Sequence, residues 1–306
     1  SISIKEILAV LFSSESTNIS PLTHDIIWEL RLPRVCAAAL VGAALSASGA
    51  ALQGLFRNPL ADPYVLGIAS GGACGAALVL WLAGLLGIAT TLAPIGAVVG
   101  AMAASFAVYM ISTRTRGLSL NTILLAGVAV GLVFSALLSL ILVLAGRQAG
   151  DILGWLLGSL SGQTWSNVYW ILVATVPGIM LLISQSAGLD AFQIGEEAAS
   201  GVGVDLPRVK LLVLGATVLL VSGAVAFCGL IGFVGLIVPH AIRRWTGPNH
   251  RWCILASSVG GAALLVGADL LSRVLIPDRE LPVGIITGCL GGPFFLFLLM
   301  RQVRHA

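Results

Sequence analysis

Charge is what this sequence has least of. Asp, Glu, Lys and Arg together make up 9% of its 306 residues, where soluble domains carry roughly a quarter. A water-soluble globule of this length needs far more polar surface to cover its core, so that class is excluded. Lysine occurs only as Lys5 and Lys210, and neither follows a glycine. The phosphate-cradling loop that ends in Gly-Lys-Ser/Thr is therefore missing. No Ser-His-Asp, HExxH or G-x-S-x-G arrangement is present either. The cysteines (Cys36, Cys74, Cys228, Cys253, Cys289) stand singly in apolar stretches, without metal-ligand or redox spacing, and read as small buried hydrophobes. The histidines (His24, His240, His250, His305) are equally dispersed, which gives no reason to expect a metal site.

What is there is apolar. Hydrophobic residues reach 58% and mean hydropathy is +1.04, a composition that suits a bilayer, where a span needs about 20 apolar residues. Runs of that kind occupy residues 33–55, 65–88, 91–111, 120–145, 168–184, 209–227, 252–274 and 283–300. Residues 229–242 are apolar but short and interrupted by Gly229, Gly232, Gly235 and Pro239, which predicts a short broken helix packed inside the protein. Residues 151–160 form a further partial helix on this reading. The expected fold is an all-α integral membrane protein, a single transmembrane domain over residues 1–306 with about nine spans. The chain opens at Ser1, and SISIKEILAVLF is too short to span and lacks the basic flank of a signal peptide.

Basic residues set the orientation. One set of loops holds Arg57, Arg114, Arg116, Arg208, Lys210, Arg243, Arg244, Arg251, Arg301 and Arg304, and the other Lys5, Arg31, Arg34, Arg147, Arg273 and Arg279. The richer set predicts a cytoplasmic C-terminus and an external Ser1. The longest cytoplasmic insertion, residues 185–208, carries Asp190, Glu196, Glu197 and Asp205. Its AFQIGEEAASGVG segment predicts a short helix, a glycine turn and a second short helix, a surface for a soluble partner.

Inside the spans, the 37 glycines of the chain include GxxxG steps at Gly96/Gly100, Gly127/Gly131 and Gly288/Gly292, read as close helix packing. Ionisable groups near the midplane, the usual mark of ion-coupled carriers, are almost absent. Asp269 is the exception, and Arg273 four residues later predicts an intrahelical ion pair near the external end.

Several segments, in order along nearly the whole chain, resemble the FecCD-type permeases of ABC importers, which carry iron–siderophores, haem and cobalamin. They are LRLPR from Leu30, GAALSASGAALQGLFRNPLADPYVLG from Gly42, LLAGVAVG from Leu124, GWLLGSLSG from Gly154, GEEAASGVGVD from Gly195, GLIGFVGLIVPHAIR from Gly229, and ADLLSR with ELPVGIITGCLGGPFFL from Ala268. The resemblance implies a transport subunit of about ten helices that is not itself an enzyme. It would pair with a copy of itself in the inner (cytoplasmic) membrane of a bacterium. Two cytoplasmic ATPases, holding ATP and Mg, would drive it, and an external binding protein would deliver substrate. It also implies a further N-terminal helix before SISIKEIL, and so a longer native protein with both ends cytoplasmic.

At matched positions, Arg31, Arg34 and Arg273 correspond to arginines that in this family meet acids of the binding protein, a use that a cation ring on the external face would serve. Snorkelling of Arg31 and Arg34 and pairing of Arg273 with Asp269 are the plainer readings. Gly195, Glu196, Glu197, Ala199 and Gly203 correspond to the loop that seats in an ATPase groove. Ser70 and Asn121 fall where related permeases narrow the path, on a looser match. His240 reads as fixing a helix end. An ion-coupled secondary transporter is the alternative to the importer.

Overall fold

The computed structural model describes residues 9–10, 20–87, 90–116, 119–201, 203–276 and 278–303. Most of the opening SISIKEILAVLF run, with Lys5, Glu6 and Glu15, lies outside them, as do Arg304 and His305. Without water in the hydrocarbon, each segment must satisfy its own backbone, and helices do so. The long ones are α1 (Pro21–Leu55), α2 (Ile68–Leu86), α3 (Ala93–Arg116), α4 (Leu120–Ala145), α6 (Trp165–Ser184), α9 (Leu206–Cys228) and α11 (His250–Val274). Between them lie the short helices α5 (Ala149–Leu156), α7 (Ser186–Gln193), α8 (Glu196–Gly201) and α10 (Val234–Thr246), and α12 (Val283–Val303) follows.

Among the described residues, seven helices are long and apolar enough to cross a membrane, with Val283–Leu298 a shorter apolar one. The chain is thus a multi-pass helical membrane protein. The expected spans are all helical, with moved boundaries. Residues 65–67 belong to a 3-10 turn, Pro63–Leu66, and its cap Gly67, so α2 starts later than expected. The broken segment breaks only over residues 229–233. Its helix runs through Gly235 and Pro239 and past Ile242 to Thr246.

α1 begins a dozen residues before its apolar run. Ser20 caps it, its hydroxyl accepting from the Thr23 N–H at 3.2 Å, and Pro21 fits a first turn whose N–H groups are unpaired anyway. Pro33 lies inside α1. It offers no N–H to the Glu29 carbonyl and its ring crowds that carbonyl, and the preceding turn widens into π-helix over Ile26–Arg31. In that wider register Leu32 bonds the Ile27 carbonyl, so the carbonyl that Pro33 leaves open is that of Trp28, which accepts from the Trp165 indole at 2.9 Å, tying α1 to α6.

Glycine decides which helices touch. α1 and α11 run antiparallel, and a Cβ on Gly42 would strike the Gly261 carbonyl, or the reverse. Gly49 meets Gly235 of α10 in the same way. α2 and α3 interlock through Gly71 against Gly100 and Gly75 against Gly96. Of the expected GxxxG steps, Gly96/Gly100 packs on both residues and Gly127 packs on the Val65 carbonyl. Gly131, by contrast, has only the Ser70 hydroxyl near, and Gly288 and Gly292 face open space among the described residues. α4 leaves Leu125, Leu132 and Val143 exposed, as a lipid- or partner-facing helix does.

Candidate functional site

The antiparallel pair α1–α11 holds polar clusters at both ends. Arg34 and Gly54 are 20 residues apart on α1, roughly 30 Å at 1.5 Å per residue.

At the first end, Arg34 reaches across to α11. Its Nε donates to both Asp269 carboxylate oxygens, at 2.9 and 3.2 Å, and its Nη2 lies 2.9 Å from Oδ1. Its Nη1 donates to Glu280 at 2.9 Å. Asp269 is 1% exposed, and on its far side Arg273 approaches Oδ2 at 3.2 Å while donating from Nε to the Asp269 carbonyl at 3.3 Å. The i, i+4 pair expected within α11 is present. The stronger bond, from Arg34, joins residues 235 apart in sequence, beyond the reach of any local pattern. Arg34 and Arg273 therefore meet on one carboxylate. Arg31, at the end of the π-helical stretch, is exposed and has no ion-pair partner among the described residues.

At the opposite end, α7 and α8 form the expected helix–turn–helix. Gly195 makes the turn at φ 110°, and Gly203 leaves α8 at φ 86°, a left-handed backbone that glycine adopts without penalty. Leu189, Phe192 and Ala199 are fully buried beneath the hairpin. The two glutamates differ. Glu196 accepts from Lys210 of α9 at 2.8 Å, and that buried lysine lies 5.7 Å over the Phe192 ring. Glu197 points to the exposed side. Nearby, Asp190 bonds His250, 60 residues on, a pairing that the scatter of histidines in the sequence gave no sign of.

Ser70 and Asn121 do not form a cluster. Ser70 donates to the Gly67 carbonyl at 3.1 Å in the first turn of α2, and Asn121 is exposed at the start of α4. His240 lies mid-helix in α10, not at a helix end, edge-on to Phe294 with centroids 6.0 Å apart.

Sequence reasoning passed over Asp62 and Tyr64 in the segment between α1 and α2. The Asp62 carboxylate accepts from the Tyr64 N–H at 2.8 Å. Burial pushes its carboxyl up to about 6, against the pull of that N–H in the other direction. The Tyr64 hydroxyl donates to the Ile231 carbonyl at 2.9 Å and accepts from its N–H at 3.0 Å, stitching this segment to the break before α10. There Phe233 sits at φ 68° with its ring where a Cβ on Gly291 would be. An Asp-Pro-Tyr run beside a glycine-broken segment was the available signal.

Comparison with known proteins gives the family. The profile of the FecCD transport family matches residues 1–301. The chain is 43% identical to the cobalamin import system permease protein BtuC of Halobacterium salinarum, over 91% of this chain and 74% of that one. It is 39% identical to the hemin transport system permease protein HmuU of Yersinia pestis, over 92% and 86%. Its fold superposes on a metal-chelate type ABC transporter in an inward-facing conformation with a TM-score of 0.85 at 30% identity, covering 97% and 96% of the two chains. An all-helical membrane domain, the ordered motifs and the absence of a nucleotide loop agree with that match: the chain belongs to the FecCD transport family and is a membrane-spanning permease subunit of an ABC importer, without a catalytic site of its own.

Proposed function

We propose that two copies of this chain form a path through the cytoplasmic membrane for a metal chelate or cobalamin. An ATPase seats on α7–α8 and an external binding protein docks at the Arg31–Arg34–Arg273 end. Iron–siderophore is the first choice of cargo, with haem and cobalamin beside it, the latter two being what the relatives' names specify. The observation that carries the reading is the placing of an acidic two-helix hairpin and an arginine cluster at opposite ends of one glycine-locked helix pair. The chain supplies no phosphate-binding loop, so hydrolysis of ATP with its Mg belongs to the partner.

Roles divide on geometry. The two turn glycines let a partner groove close on α8, Ala199 packs α8 down from below, and Glu197 offers the groove an exposed carboxylate. Arg31 is an exposed cation without an ion-pair partner among the described residues, open to an acidic docking partner, while Arg34 and Arg273 hold Asp269 and shape the surface around it. Ser70 and Asn121 remain as candidate path residues at the starts of α2 and α4. The exposed face of α4, with open Gly288 and Gly292 on α12, suits the second copy.

The test is ATP-driven uptake in proteoliposomes that hold the chain, its neighbouring ATPase and its binding protein, with labelled iron–siderophore, haem and cobalamin offered in parallel. Uptake of one cargo that requires both partners is expected. Uptake driven by an ion gradient without ATP would overturn the reading in favour of a secondary carrier.

A further inference from the structure

Beyond seating an ATPase, the hairpin has to pass its displacement into the membrane, and one buried imidazole is placed to do so. His250 is the first residue of α11 and is fully buried. Asp190 of α7 accepts from it twice on the same oxygen, from the backbone N–H at 2.9 Å and from Nδ1 at 2.6 Å. With the proton on Nδ1, Nε2 carries a lone pair. It faces Nη1 and Nη2 of Arg243 on α10, each at 3.4 Å, and the amide of Gln193 on α7, also at 3.4 Å. The edge of the ring rests on α1, where a Cβ at Gly54 would collide with Nε2. Arg243 also reaches the Ala50 carbonyl of α1 at 3.4 Å. One side chain thus touches α1, α7, α10 and α11.

Among the described residues the other ties of α7 to the bundle are the buried Leu189 and Phe192 and the Lys210 ammonium over the Phe192 ring, and the apolar contacts are non-directional and can slide. The pair of hydrogen bonds that Asp190 accepts from His250 is directional and charge-assisted. α7 has 8 residues, and a shift of it that keeps these bonds must carry the start of α11 with it. Through Nε2 and Arg243 the shift passes to α10, a 13-residue helix that follows the non-helical residues 229–233 and can tilt about them.

We infer that His250 is the positioning residue that couples movement of the ATPase-seating helix α7 to α10 and α11, an inference that rests on α7–α8 being the seat. The experiment uses the complete transporter in proteoliposomes and reads substrate imported per ATP hydrolysed. His250→Ala and Asp190→Ala are expected to lower that ratio about tenfold, within the usual range of coupling between sites. Asp190→Asn, which keeps an acceptor oxygen, should restore most of it. A purely structural role would instead reduce uptake and hydrolysis together, in proportion to assembled complex, with the ratio unmoved, and that result overturns the inference.

Should the alanine variants fail to assemble, spin-label distances in the wild-type complex decide. Labels on α7 and α10 should shift together between nucleotide-free and ATP-bound states, and movement of α7 without α10 overturns it. Crosslinking to the ATPase through Ser200→Cys tests the seat by itself. A missing crosslink sinks the seating reading, whereas a crosslink with an unmoved ratio sinks only the role of His250.

Discussion

Replacing Asp269 by asparagine removes one charge from a cluster that is neutral as it stands, with Asp269 and Glu280 set against Arg34 and Arg273. Asp269 is 1% exposed and Arg34 12%, so Asp269→Asn turns an amide toward a guanidinium that has little water to fall back on. Breaking a buried pair by removing one partner costs about 3–5 kcal/mol. Two features lower that here. Arg34 keeps Glu280, half in solvent and worth about 0.2–1 kcal/mol, and Arg273 is exposed enough to turn outward. The expected loss is therefore about 2–3 kcal/mol. Removing both charges with Arg34→Met and Asp269→Leu leaves neither ion stranded and should cost less than the sum of the two single changes. Reversible unfolding in mixed micelles, run as a double-mutant cycle, measures this. A coupling below about 0.5 kcal/mol, the ordinary additivity error for independent sites, would refute the buried bridge. The same logic makes Arg31→Glu the clean probe of binding-protein docking, since Arg34→Glu would lower stability as well.

Desolvation of half-buried Asp62 pushes its carboxyl up to about 6. An acid with its folded pKa above its unfolded value binds more protons folded than unfolded between the two. The stability it contributes is full below about pH 4 and is lost as pH rises towards about 6. Asp62→Asn should flatten that decline, read as thermal midpoints in detergent from pH 4.5 to 7.5; an unaltered slope would count against it. Glu196→Lys places a second cation against buried Lys210 and should lower the thermal midpoint, whereas Glu197→Lys should keep the midpoint and release the ATPase in a pull-down. Gly71→Leu drives a side chain into the backbone of α3 and should abolish recovery of folded protein on size exclusion. Gly292→Leu should leave the single chain folded and weaken the pairing of two copies, and unimpaired pairing would remove α12 from that interface.

The helices were legible because the hydrocarbon imposes one demand, backbone satisfaction over some 20 apolar residues, and apolar runs record it directly. The helix ends were less so. α1 starts at Pro21 because Ser20 caps it, and its polar first turns carry no hydropathy signal. The α7–α8 hairpin could be read because Gly195 and Gly203 mark its turns locally. Arg273 was rightly paired with Asp269 because four residues is one helical turn, while Arg34 and Glu280 come from distant sequence and meet only through the packing of α1 on α11. Glycine spacing told half the story. Gly96/Gly100 was visible as a step, but its partners Gly71 and Gly75 are set by which helices adjoin, and so is the open state of Gly288 and Gly292.

The glycine contacts that lock α1 to α11 have a thermodynamic corollary. With Gly42 against Gly261 there is no side-chain layer between the two backbones to absorb a displacement, so the pair behaves as one stiff strut, and the docking proposed above would put a partner at each tip. A strut carries load both ways. Whatever factor nucleotide binding beneath imposes on the affinity for the protein above, that protein returns to nucleotide affinity in equal measure. A cargo-loaded binding protein would then act as an equilibrium ligand of the ATPases without ever touching them.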